Sequence, residues 1–93
     1  MSQTHMVFVE IDPEHEAALA EWYETVHLPD ILACPGWLDA RRETCLEGGP
    51  RLVAIYTITG PEAYETPEFQ AIKGFGPFAD KVRNFHRIRL TRS

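Results

Sequence analysis

The sequence predicts a single α+β domain over residues 1–93, with four strands and two helices in the order β-α-β-β-α-β. Three observations lead there. A chain of 93 residues has room for one hydrophobic core and not for two. Four stretches carry the two-residue apolar alternation of a strand. Between them, Asp12-Pro13 and Thr66-Pro67 are cap-then-proline pairs that open helices, because the side-chain oxygen accepts from orphan amides and proline fixes a helical φ.

The elements follow in order. From His5 to Ile11, Val7, Val9 and Ile11 point one way while Met6, Phe8 and Glu10 point the other, which predicts a first strand. After Asp12-Pro13, Glu14 and Glu16 favour the positive end of a helix. Ala18, Leu19, Trp22 and Val26 recur at helical spacing up to His27 and predict the face packed on the sheet. Pro29 lacks an amide proton and disfavours α geometry at Leu28, so the helix is expected to end or kink there, before a short turn through Asp30, Ile31 and Leu32. Pro35-Gly36 stops helix, and Trp37 to Leu46 reads as a second strand. Glu47-Gly48-Gly49-Pro50 is a turn leading into a third strand, Arg51 to Thr59, apolar on both faces as a central strand is. Gly60-Pro61 punctuates the chain; Glu62 to Glu65 is short and helical, and Pro67 to Lys73 forms the second helix. Gly74, Gly76 and Pro77 break it, Phe78 to Arg83 forms a further helical turn, and Asn84 to Arg92 is the fourth strand.

This order is the ferredoxin-like plan, a four-stranded antiparallel sheet with both helices on one face. The other face is then bare. It carries Val7, Val9, Tyr56 and Ile58 or their alternates, and pairing two such sheets would cover it.

A net charge of −5 leaves no basic stripe to neutralise phosphates, so no nucleic-acid or membrane partner is expected. The arginines of the C-terminal stretch alternate with Val82, Phe85, Ile88 and Leu90, as a strand does and a binding tail does not. Cys34 and Cys45 form no CxxC or zinc-type cluster, and no metal site is expected. Met1 to Met6 lacks the basic start and apolar core of a signal peptide, which predicts a cytoplasmic protein. Gly48-Gly49 belongs to a hairpin turn and Gly74-x-Gly76 precedes proline, so neither is a phosphate loop. The only serines, Ser2 and Ser93, are terminal, which argues against a serine nucleophile.

The segment Trp22-Tyr23-Glu24-Thr25-Val26-His27-Leu28-Pro29-Asp30-Ile31-Leu32, followed by Pro35-Gly36-Trp37, resembles the dimeric α/β barrel superfamily and, within it, the EthD-like group. There an aromatic and an H-x-P sequence near the end of the first helix precede a PG pair and a strand. The resemblance implies a homodimer with a pocket between sheet and helices in each subunit. The superfamily includes cofactor-free monooxygenases, lactone isomerases, polyketide cyclases and haem-degrading enzymes, so the fold does not select a reaction. The haem-binding residue set of those last members has no residue-by-residue match here, and no cofactor is expected.

His27 is the candidate catalytic residue. Tyr23 lies one turn before it and Asp30 close after it, and the helix C-terminus would favour its protonated form and raise its pKa. The structural alternative is a cap on that helix. Tyr23, Asp30, Trp37, Tyr56 and His86 are the candidate ligand-binding residues, each with an ordinary packing or capping role as its alternative. Tyr64, Glu10 and one of Arg41 and Arg42 follow with lower weight, while His5 and His15 fit no ligand cluster. The expected function is a homodimer binding a small oxygenated organic compound, with His27 moving a proton during isomerisation, cyclisation or oxidation. A non-catalytic ligand-binding or stress-related accessory protein, or a purely structural dimer, are the alternatives.

Overall fold

The computed structural model describes residues 1–93. Strand β1 spans Gln3–Glu10, β2 Trp37–Thr44, β3 Leu52–Ile58 and β4 Arg83–Leu90. They form one antiparallel sheet in the order β2-β3-β1-β4, the ferredoxin-like topology the sequence predicts. The register puts His5 opposite Tyr56 and Arg89, and Val7 opposite Ala54 and Arg87. These residues therefore share one face, together with the buried Val9. Their alternates Met6, Phe8, Ile55 and Ile88 occupy the other face, so the bare side of the sheet carries the second of the two expected sets.

Helix α1 runs Pro13–Trp22, passes through a π-helical turn at Tyr23–His27, and continues as α2, Leu28–Leu32. The expected break at Leu28 is thus a kink and not an end. Proline at position 29 has no N–H for the Thr25 carbonyl, and its ring would strike that carbonyl in an α-helix. The chain widens instead, with the Leu28 amide donating to the Tyr23 carbonyl five residues back. The buried face of this helix also differs from expectation. Ala18 is exposed and Val26 is 43% exposed, whereas Leu19, Tyr23, His27, Leu28 and Ile31 are buried.

The second helix is much shorter than the sequence predicts. A 3-10 turn at Pro61–Glu65 leads to α3, Pro67–Gln70, capped by Thr66 Oγ1 accepting from the Phe69 amide at 3.2 Å. Gly74 and Gly76 adopt φ of +43° and +50°, which end helical geometry, and the expected helical turn beyond them reduces to a 3-10 turn at Gly76–Phe78. Turns therefore cover the sheet where a helix was expected, and β4 is left with Phe85 57% exposed. Pro35-Gly36 makes the turn into β2 in a way only glycine permits: φ is +87°, and a Cβ would lie 3.0 Å from Ala63 Cβ and Thr59 Oγ1. No helix is long and apolar enough to cross a membrane.

Candidate functional site

The kinked helix builds one wall of a pocket. Across the π-helical turn Tyr23 and His27 come together edge to face, ring centroids 5.1 Å apart, and Trp22 stacks on the His27 imidazole at 4.8 Å. The stack is held from outside by Phe78, 5.9 Å from Trp22, and by Gly76, whose missing Cβ would lie 2.9 Å from the indole. Aromatic packing, and no hydrogen bond, thus sets the orientation of His27.

The sheet supplies the floor. His5, Tyr56 and Trp37 meet with centroids 5.3–5.4 Å apart, the indole edge-on to both partners. Trp37 is fixed by its Nε1 donating to the Ala63 carbonyl at 3.1 Å and by stacking on Phe69 at 4.7 Å. It is both the anchor of β2 and a wall of the pocket. His5 Nδ1 and the Tyr64 hydroxyl share a hydrogen bond of 2.8 Å. Between floor and wall lies a half-open cavity of about 150 Å³, edged by His5, Tyr23, His27, Trp37, Tyr56 and, at β4, Phe85 and Arg87.

The electrostatics follow from burial. His5 is pushed down to about 4, first by desolvation and then by the charges of Arg87 and Arg89. Burial also lowers His27, and the Asp30 carboxylate only partly offsets it. This reverses the expectation of a raised value: His27 lies inside a continuing helix, not at its end, so no exposed carbonyls face it and no cap is made. Both imidazoles are neutral at pH 7, and that of His27, which has no hydrogen-bond partner, keeps a lone pair free to accept a proton. Burial raises the phenols of Tyr23 and Tyr56, which stay protonated donors. The only sealed-off side-chain polar atom without a partner is Gln3 Oε1, so the nitrogens of His27 and the hydroxyls of Tyr23 and Tyr56 remain open to approach.

Of the predicted site residues, His27, Tyr23, Trp37 and Tyr56 converge on this cavity. Asp30 does not. It is exposed on α2, makes no hydrogen bond to His27, and contributes its backbone carbonyl as acceptor for Cys34 Sγ at 3.4 Å. His86 is also corrected: it pairs with Phe8 on the bare face of the sheet, ring centroids 6.1 Å apart, because strand alternation sets it opposite to Arg87. Arg42 is tied to Glu24 and Arg41 to Glu43, each at 2.9 Å, and Glu10 accepts from Asn84 at 2.7 Å. His5 and Arg87 were missed. The parity of His5 with Val7 and Val9 was the signal that placed it inside.

A larger cavity of about 500 Å³ adjoins the first, between α1 and strands β1, β2 and β3, with Val7 and Tyr23 lining both. Ion pairs Arg51–Glu16 and Arg42–Glu24, both 2.9 Å, tie the helix to the sheet there, and no histidine lines the space. No three His, Cys, Asp or Glu side chains gather as metal ligands would.

No family model matches the chain, and no curated protein matches its sequence. Solved structures match its shape. A dimeric ferredoxin-like protein of unknown function from Thermobifida fusca superposes with a TM-score of 0.69 at 13% identity, covering 99% of this chain and 92% of that one. A candidate antibiotic biosynthesis monooxygenase from Nitrosomonas europaea gives 0.72 at 12% identity over 95% of this chain and 86% of the other. The chain shares the four-stranded ferredoxin-like α+β fold of these proteins. An ethyl tert-butyl ether D (EthD) family protein from Bacillus halodurans has a similar fold, with a TM-score of 0.61, 19% identity, and 94% and 96% of the two chains covered.

Proposed function

We propose that this chain is a homodimeric small-molecule-binding protein that moves a proton on an oxygenated organic ligand, with His27 as the base. The observation that carries this reading is the convergence of three ligand-accessible polar groups, His27, Tyr23 and Tyr56, on one small aromatic-walled cavity. Neutral His27 takes a proton from the carbon beside a carbonyl. A tyrosine hydroxyl, kept protonated by burial, donates to the enolate oxygen that forms. Return of the proton to another carbon is an isomerisation; attack of the enolate carbon on a carbonyl of the same molecule is a cyclisation; transfer of its electrons to dioxygen begins an oxidation. The similar fold of a candidate monooxygenase is consistent with this range.

The bare sheet face, with Met6, Phe8, Ile55 and Ile88, supports the homodimer. One observation favours the non-catalytic reading: no carboxylate or carbonyl holds the second nitrogen of His27, which is positioned by stacking alone.

The test is deuterium exchange at the α-carbon of simple aryl ketones such as phenylacetone, followed by proton NMR in D₂O. Wild type is expected to accelerate exchange, and His27→Ala to lose roughly 100-fold or more of that acceleration. Binding without acceleration, or acceleration unchanged in His27→Ala, would sink the proton-transfer proposal.

A further inference from the structure

Resting on the reading that this cavity holds a ligand, we infer that its occupant is a single-ring organic acid, with the ring inside and its carboxylate on Arg87 at the rim.

The sheet face is uncovered at β4 because α3 stops at Gln70, and there Phe85, Arg87 and Arg89 alternate on the cavity side. Every other arginine between β1 and β4 has a carboxylate partner: Arg41, Arg42, Arg51 and Arg83 pair with Glu43, Glu24, Glu16 and Asp12 at 2.7–2.9 Å. Arg87 and Arg89 have none, in a chain with 14 acidic and 9 basic residues. Their guanidinium carbons lie 4.9 and 5.8 Å from the centroid of the Tyr64 ring, which holds both side chains in place and neutralises neither. Two guanidinium groups on one phenol, beside a His5 that stays neutral at pH 7, form a local positive field at the mouth of an otherwise uncharged cavity. An anion is what this field recognises, and the planar fork of arginine fits a carboxylate with two hydrogen bonds.

The cavity sets the size of the rest. About 150 Å³ is the volume known to admit one benzene-sized ring, and the aromatic walls Trp37, Tyr23 and Phe75 suit such a ring. No charged side chain lines the cavity except Arg87, so the charge of the ligand has one place to go.

The experiment is calorimetric or NMR titration of the full chain with matched acid and amide pairs, benzoate with benzamide and phenylacetate with phenylacetamide. The acid is expected to bind at least ~10-fold tighter than its amide, and Arg87→Gln to bring the two within about threefold while leaving the amide unchanged. Arg92→Gln, beyond the end of β4, serves as the charge control and is expected to change neither. Equal binding of acid and amide to wild type would overturn the anion inference and leave the pocket reading standing. Equal weakening of both by Arg87→Gln would do the same. Binding of neither member of either pair would overturn both.

Discussion

His5 shows how one buried side chain couples the pocket to the stability of the fold. In the unfolded chain it takes up a proton near pH 6.5, whereas in the fold it does so only near 4. Between those values the unfolded state binds more protons, so stability is fully present above about pH 6.5 and is lost as pH falls through this window. His27 shifts in the same direction. Allowing for solvent at the open mouth, His5 accounts for a loss on the order of 2 kcal/mol. Urea unfolding midpoints measured from pH 7 to pH 4 should show it. His5→Phe, which keeps the contacts to Trp37 and Tyr56 with a ring of similar bulk, should flatten the pH dependence; an equal slope in that variant would contradict the assignment. The same residue marks a limit of sequence reading. Its strand parity was visible, but it was set aside because it fits no ligand cluster in sequence, and only the pairing with Tyr56 and Tyr64 brings it to the site.

At the scale of elements, the two proline-led helices were legible to different degrees. The start of α1 and the kink before Pro29 follow from local chemistry, since a missing donor acts wherever the helix goes. Whether the helix ends or widens depends on burial of Leu28 and Ile31 beyond the kink, which is tertiary information. The strands are recovered to within two or three residues at each end because their alternation is dense. At α3 the helix ends at Gln70, ahead of both glycines, and the segment beyond it turns to bring Phe75 against Tyr23 and Phe78 against Trp22, contacts that are tertiary information. Gly76 links this turn to the site. Its φ of +50° and the 2.9 Å separation a Cβ would have from the Trp22 indole predict that Gly76→Ala destabilises the protein by about 1–3 kcal/mol. The rearranged Trp22 should also change the His27 ring-proton shifts. Denaturant titration and one NMR spectrum check both.

For the whole molecule, the deciding quantity is how little the subunit buries. Only 17 of 93 residues are buried, and the pocket takes up interior space that packing would otherwise fill. A second copy against the bare sheet face would supply the missing burial and would make stability depend on concentration. Light scattering at micromolar concentration is expected to give a dimer. Phe8→Glu, which sets a charge at the centre of that face, should give a monomer with a lower melting temperature and retained far-UV circular dichroism at low temperature. A wild-type monomer would count against the paired-sheet reading. The ferredoxin-like fold was legible from the order of elements, because that order leaves few topologies open. The rim of the pocket was not, because the alternating arginines of β4 look in sequence like an ordinary solvated strand.

Those arginines have one more consequence. β4 is an edge of the sheet, with a row of backbone donors and acceptors that another extended chain could pair with. Arg87 and Arg89, which no carboxylate neutralises, lie two residues apart along this edge. A second β4 laid antiparallel against it with Arg87 opposite Arg87 would set two unpaired guanidinium groups against each other and be repelled. The residues proposed to draw an anion to the pocket mouth would then also oppose edge-to-edge pairing of two sheets in that register.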